Sequence, residues 1–570
     1  MLVKRWVKQE ACQVLKALLC SELNLSPATA NILVNRGIKS KEEAGAFLNA
    51  PLSDLHDPFL FAGIDKVVAR VLKAIRSGEK ILVYGDYDAD GITSTALLVE
   101  FFRDIGKDVL YYIPKRLEDG YGLSLDSLKR IKEKGVTLII TVDCGISSVI
   151  EVEAAANMGM DVIITDHHEA PDVIPDAYAI VNPCLKRSCY PFMSLAGVGV
   201  ALKLAQAIKA GLDGKDSAGP GIDPSLIKYL DLVALGTIAD VVPLTGENRV
   251  LVKHGLRVMN EGMRSGIRAL KEVASIKGKI SSGIVAFQVA PRLNASGRLS
   301  QAEAGVRLLI TDDPDEASKV AAELDAMNRE RQKIEEEILE EARYILTSSY
   351  DSDSRTIVLA SDRWHQGVIG VVASKLVEEF YKPTVLISLS DSMGKGSARS
   401  IPSFHLYKVL ARCGLYLEGF GGHKYAAGLS IKQDMIEPFR REFEATALNT
   451  LTEDDFRPSL RIDAEVPLCD VGWELHGELS SLGPFGAGNP EPVLQASGLG
   501  VLYPKVVGKN HVRMVVTQGG LRFGSIGFNM GSIYQSLAMK NVTVDAAFSL
   551  NVNEWQGERT LQLNLKDLHY

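Results

Sequence analysis

The chain has no long apolar run. Across its 570 residues no hydrophobic stretch approaches the roughly 20 residues needed to span a bilayer. Its first residues, MLVKRWVKQE, lack the apolar core of a secretory signal. Cysteine is scarce: seven residues, an odd number, scattered along the chain. That excludes a disulfide framework and fits a reducing cytoplasm. The close pairs Cys12/Cys20 and Cys184/Cys189 do not have zinc-finger spacing. An excess of positive charge is also missing. The 63 basic and 71 acidic residues leave a net charge of −8, which excludes a chain-wide electrostatic grip on nucleic acid but allows a local basic groove. What remains, 46% apolar and 24% charged, is globular and long enough for roughly three or four domains.

The most informative stretch is VYGDYDADGITST, residues 83–95. Asp86, Asp88 and Asp90 follow directly on the apolar run Ile81–Tyr84. Such a run bounded by glycine predicts a buried strand, with the carboxylates at its carboxyl end and in the loop before a helix near Ile92. In an open parallel sheet that edge binds ligands. Carboxylates packed this closely repel one another, and a hard divalent cation, magnesium or manganese, relieves them.

From about 65 to 260, β-rich runs alternate with helical ones. KILVYGD, DVLYYIP, TLIITVD, DVIITDHH and AYAIVNP predict strands, with helices over Thr93–Ile105 and Ser148–Met158. This alternation predicts a parallel sheet covered on both faces. The strand ends carry Asp143 and Asp166-His167-His168, and Asp240 follows the apolar helical stretch YLDLVALGTIA. Convergence of such ends predicts a metal site, with the two histidines as ligand and acid–base candidates.

Elsewhere the chain is plainer. Residues 1 to about 50 look helical, with Ser26 capping a helix and Pro27 at its first position. In APRLNASGRL, Asn294 and Arg298 sit one helical turn apart and suit one phosphate. Residues 314–344 predict one long helix with a solvated charged face. Residues 355–445 return to α/β, where Gly394, Gly396, Gly421 and Gly422 read as turns that admit phosphate, beside Ser397 and Arg399. From Arg457 short strands predict a small barrel, in which Phe523, Phe528 and Trp555 are stacking candidates beside Lys505, Lys509 and Arg513.

DYDADG, VDCG, TDHH and GTIADVVPL resemble the ordered motifs of the DHH phosphoesterase superfamily. APRLNASGRL, WHQGVIGVVASKL, GKGSARS and GFGGHKYAAG resemble its RecJ exonuclease branch. The resemblance implies an α/β multidomain chain: a helical arm (1–60), a parallel-sheet DHH catalytic domain (61–312), a connector helix (313–346), an α/β DHHA1 domain (347–450) and a C-terminal OB-fold barrel (456–570). It implies two divalent cations, Mn²⁺ or Mg²⁺. Asp90, Asp143, His167 and Asp240 would hold one, and Asp86, Asp88 and the bridging Asp143 the other, with Asp86 the ligand that varies among relatives. Catalytic roles fall to Asp143 and His168. Arg116, Asn294, Arg298, Ser397, Arg399, Gly421, Gly422 and His423 are the phosphate- and DNA-binding candidates.

The implied activity is 5′→3′ hydrolysis of single-stranded DNA in repair and recombination, by a cytoplasmic monomer working with a helicase and a single-strand-binding protein. A narrow channel between catalytic and closing domains would exclude duplex, and the barrel would act as a separable affinity module. The same metal core also serves small phosphodiesterases and pyrophosphatases, and some relatives are non-catalytic replication scaffolds. The long chain with its barrel argues against the first, and the complete set of ligand residues against the second.

Overall fold

The computed structural model describes residues 4–115, 120, 122–262, 264–298, 302–348, 350–351, 353–539, 542–555 and 557–570. Arg116 lies outside them, as does the side chain of Trp555. Contacts divide the chain into two compact units. One comprises Glu42–Arg329 with Ser481–Glu491; the other comprises Met1–Lys41, Glu330–Ser480 and Pro492–Tyr570.

The first unit is built on five parallel strands: β1 (Ile81–Tyr84), β2 (Leu110–Tyr112), β3 (Leu138–Val142), β4 (Asp161–Thr165) and β5 (Ala179–Val181). These are the five strands expected from the sequence. Their order, β2-β1-β3-β4-β5, reverses between β1 and β3, and ligands bind at such a switch point. Successive residues face opposite sides of a strand. Ile81, Val83, Leu138, Ile140 and Ile163 enter one core, while Leu82, Tyr84, Ile139, Val162 and Ile164 enter another. Burial on both faces explains why the runs read as continuously apolar.

Three helices cover the switch-point side: α1 (Ala89–Asp104), α2 (Gly197–Leu212) and α3 (Leu230–Ala239). The first helix begins earlier than the sequence suggested. Asp88 is its N-cap, accepting from Asp90 N (2.9 Å) and Gly91 N (3.1 Å), so Asp90 belongs to the first turn instead of the loop. A fourth helix, α4 (Ala290–Arg298), follows a π-helical turn over Val285–Val289. An irregular segment, Ser481–Glu491, belongs to this unit although it lies far along the chain. Leu244 N donates to Ala487 O (2.7 Å), Arg249 Nη1 to Leu482 O (2.8 Å) and Ser282 Oγ to Phe485 O (2.6 Å).

In the second unit a five-stranded sheet runs Gly419–Gly422, Ala426–Lys432, Met393–Arg399, Thr384–Ser390, Ile357–Ser361. Two departures from the sequence reading appear here. The segments GKGSAR and GFGG are strands, not turns. Gly394 and Gly396 make room for the sheet's own side chains, because a Cβ at either would come within 2.6 Å of Ile387 or Leu429. The second departure concerns Arg5–Lys8, which forms a strand parallel to Ser459–Ile462 instead of a helix. Trp6 fixes it by donating to Asp567 (2.8 Å) and stacking on His569 (4.0 Å), contacts with no local signature.

Five further strands close a barrel in the order Leu494–Val507, His511–Gln518, Leu521–Gly527, Glu558–His569, Thr543–Trp555, and back to the first, with the two-residue strand Ala464–Glu465 beside the first. The third and fourth members of that order run parallel, and all other neighbours within the five run antiparallel. This closed five-stranded Greek-key barrel is the OB architecture. The long helix spans Pro314–Ser348, 35 residues, as its pattern predicts. Its charged run is not wholly solvated: Asp325, Asn328, Arg331 and Glu335 are buried, with Asp325 paired to Arg292 (2.8 Å) and Glu335 to Arg331 and Lys375.

Candidate metal centre and phosphate sites

The ends of β1, β3 and β4, with the end of α3, bring Asp86, Asp88, Asp90, Asp143, His167 and Asp240 together. Two three-residue groups have ligand atoms within 4.8 Å of one another: Asp90/His167/Asp240 and Asp86/Asp88/Asp143. A third, Asp143/His167/His168, overlaps both. His167 Nε2 lies 3.1 Å from Asp143 Oδ1, 3.6 Å from Asp240 Oδ2 and 3.9 Å from Asp90 Oδ2.

The local backbone holds these groups in place. Asp90 accepts from Gly197 N (2.7 Å) and Val198 N (2.9 Å), so the N-terminus of α2 points at it. Position 197 must be glycine, because a Cβ there would sit 2.7 Å from Asp143 Cβ and Oδ1. Asp143 itself has φ +61°, left-handed backbone that a non-glycine residue adopts at a cost of about 1–3 kcal/mol. Asn294 Oδ1 accepts from Ala89 N (2.8 Å), so this side chain braces the acidic turn.

Electrostatics decide what the cluster holds. Unit charges about 4.8 Å apart repel by about 3–4 kcal/mol at an effective dielectric constant of ~20. Burial, then Asp88, pushes Asp90 up to about 7. Burial, then Asp90 and Asp88, pushes Asp240 up to about 9, and burial with four neighbouring carboxylates pushes Asp143 well above the usual carboxylate range. Burial and His168 push His167 down to about 4, so it is neutral, and its ring also hydrogen-bonds the Leu195 backbone. Asp143 Oδ1, His167 Nε2 and Asp240 Oδ2 are buried and have no hydrogen-bond partner among the described residues. Lone pairs of hard donors converging without hydrogen bonds fit divalent cations.

His168 is set up in the opposite sense. Its Nδ1 bonds Asp166 Oδ1 (2.7 Å), and Asp166 also accepts from Ile146 N, His167 N and His168 N (3.0, 2.8 and 3.1 Å). Although burial opposes it, this bond and the surrounding carboxylates raise His168 to about 9, leaving a cation. The two neighbouring histidines are thus held in separated protonation states, His167 neutral and His168 charged. Asp166 was visible in TDHH only as a further acidic residue; its buried orienting role was not.

In the second unit, Arg399 Nη1 donates to Ser397 Oγ (3.1 Å) and Ala398 O (2.8 Å). The helix Ile369–Phe380 abuts this pair: a Cβ on Gly370 would lie 2.8 Å from Ser397 Oγ and 3.1 Å from Arg399 Nη2. A guanidinium, a hydroxyl and a helix N-terminus together suit a phosphate. Gly421, Gly422 and His423 are at the hairpin of the same sheet, where they are exposed and His423 N donates to Ala426 O (2.8 Å). Arg298 is half-buried at the end of α4, in the first unit. On the barrel, Lys505, Lys509 and Arg513 are exposed, and Phe528, 53% exposed, meets His511 edge-on at 5.2 Å. Phe523 is half-buried. Tyr503, 74% exposed beside a bulge in the first barrel strand, escaped the sequence reading.

The chain matches three family models: "DHH family, N-terminal domain" over residues 80–237, "DHHA1 domain" over 353–449 and "RecJ OB domain" over 462–567. It is 38% identical to the single-stranded-DNA-specific exonuclease RecJ of Bacillus subtilis, covering 99% of this chain and 70% of that protein. The Salmonella typhimurium RecJ is 37% identical, with 96% of each covered. Among solved structures, Thermus thermophilus RecJ in complex with Mn²⁺ superposes with a TM-score of 0.84 at 31% identity, covering 99% of this chain and 79% of that one. The same protein with Mg²⁺ gives 0.77 at 30% identity, covering 99% and 78%. A chain with these matches and this acidic cluster belongs to the family of RecJ single-stranded-DNA-specific exonucleases.

Proposed function

We propose that this chain is a metal-dependent exonuclease that hydrolyses single-stranded DNA in the 5′→3′ direction. The observation that carries the proposal is the convergence of Asp143 Oδ1, His167 Nε2 and Asp240 Oδ2 without hydrogen-bond partners among the described residues. When bound, Mn²⁺ or Mg²⁺ would polarise the scissile phosphate and lower the pKa of a water. The chain's own residues supply the rest. Asp90, Asp143, His167 and Asp240 form one ligand set, and Asp86, Asp88 and Asp143 the other. His167 is neutral at working pH and needs no deprotonation. Cationic His168, steered by Asp166, binds a non-bridging phosphate oxygen as negative charge accumulates there.

Arg399, Ser397 and the adjoining helix N-terminus support capture of a terminal phosphate, the chemical mark of a 5′ end, with Arg298 on the catalytic unit as a further phosphate contact. The exposed basic and aromatic residues of the barrel support strand binding. The role is degradation of a strand during repair and recombination, after a helicase has separated it and in company with a single-strand-binding protein. Seven free cysteines suit the cytoplasm. No helix among the described residues is long and apolar enough to cross a membrane.

The test is nucleotide release from a long 5′-labelled single strand with and without Mn²⁺ or Mg²⁺, against the same sequence as blunt duplex. Label should leave in the first products, only with metal and only from the single strand.

A further inference from the structure

Within the catalytic unit's described residues, the two most exposed large apolar side chains are Phe287 (83%) and Val241 (70%). An isolated exposed hydrophobe needs no explanation. These two share a setting that singles them out. Val241 directly follows Asp240, and its φ of +61° is left-handed backbone that a β-branched residue rarely adopts. Phe287 lies at the centre of the π-helical turn Val285–Val289, a rare conformation that concentrates at functional sites. In each case an unusual local backbone turns an apolar side chain outward. Within that turn Val285 and Val289 are buried at 0% and 1%, Ala286 is half-buried, and Gln288 is exposed beside Phe287.

Both residues are tied to the elements that carry the acidic cluster. The π turn packs against α3, the helix that ends at Asp240. It continues into α4, where Asn294, seven residues or about two turns beyond Phe287, caps Ala89 beside Asp88 and Asp90. The acidic cluster is made of Asp and His alone and offers a nucleotide only ligands for its phosphate.

We infer that Phe287 stacks on a nucleobase of the strand whose phosphodiester occupies the acidic cluster, with Val241 as a second apolar contact for the bases. The inference rests on the proposed function. It adds a source of selectivity independent of the metals, because a base inside a duplex has both faces covered by the stacked pairs above and below it. Stacking tolerates any base, so the contact is general in sequence.

The experiment compares wild type, Phe287→Ala and Phe287→Trp on long single strands that are either normal or carry one abasic residue at a known position. Phe287→Ala should lose about tenfold in kcat/KM on the normal strand, mostly through KM, with Mn²⁺ binding and Tm unchanged. Phe287→Trp should restore it. Wild type should pause at one fixed distance from the abasic residue, and Phe287→Ala should show no such pause. Equal kcat/KM for wild type and Phe287→Ala, or an identical pause in both, overturns the stacking role while leaving the nuclease reading intact. Absence of metal-dependent cleavage by wild type overturns both.

Discussion

Asp143 Oδ1 and His167 Nε2 face each other at 3.1 Å, and neither has a hydrogen-bond partner among the described residues. The pair is not an ion pair, since burial holds His167 neutral. Two lone pairs at that distance repel unless a cation, or a proton held by the raised Asp143 carboxyl, lies against both. Asp143→Ala should therefore abolish hydrolysis and weaken Mn²⁺ binding. The same substitution removes a carboxyl group whose burial among four others pushes it well above the usual range, a cost to the fold at neutral pH, and should raise the Tm of the metal-free protein by a few degrees. Calorimetry with and without Mn²⁺ checks both, and retained cleavage near the wild-type rate would sink the assignment.

Asp166 meets the His167 backbone amide but none of the converging ligand atoms, and its side chain fixes His168. Asp166→Asn should lower kcat by on the order of tenfold to a hundredfold and leave Mn²⁺ affinity within about threefold, as expected for lost stabilisation of charge in the transition state. Steady-state kinetics beside Mn²⁺ titration separate this from a loss of metal.

Arg399→Ala and Arg298→Ala should each reduce the preference for 5′-phosphorylated over 5′-hydroxyl strands. A charge-assisted bond is worth about 1.5–3 kcal/mol, or on the order of ten- to a hundredfold. The readout is the rate ratio on the two substrates. Wild-type ratios in both variants would leave the arginines as backbone contacts only.

Two truncations should behave differently. A chain ending after Glu491 keeps the segment that packs on Leu244, Arg249 and Ser282, and should retain cleavage of short oligonucleotides while losing affinity for long strands. A chain ending near Arg457 loses that segment too, and should also lose activity on short substrates. Equal behaviour at every strand length would show that the Ser481–Glu491 contacts do not support the Asp240 side of the site.

Arg70 is 6% exposed and bridges Glu79 and Asp161 (2.7 Å each), joining the helix before β1 to β4. Glu79 is held below the usual carboxylate range, first by its hydrogen bond from Arg70. A depressed folded-state value stabilises above the unfolded pKa, about 4.5, and the contribution is lost as pH falls through the folded value. Arg70→Met should cost about 1–3 kcal/mol at pH 7, with the gap to wild type narrowing below about pH 4. Urea melts at the two pH values give the comparison.

The strands and their acidic ends were legible because local pattern determines them: β1 and β3 are wholly buried, and each hands its last side chains to the switch point. The bracing residues were not. Asn294 and Ala89 are 205 positions apart, and an asparagine in a helical pattern says nothing of the amide it will cap. Asp166 reads like any ligand until its four hydrogen bonds place it behind His168. Ser481–Glu491, rich in glycine and proline, has the composition of a linker, and only its distant partners make it part of the catalytic unit.

The six residues of the acidic cluster arrive from four separate places, and the last of them, Asp240, is made 154 positions after Asp86. A chain still being synthesised thus carries no competent centre until Asp240 has been added, however well its early strands have paired. Completion of the cluster is thus tied to the order in which the ribosome delivers its members.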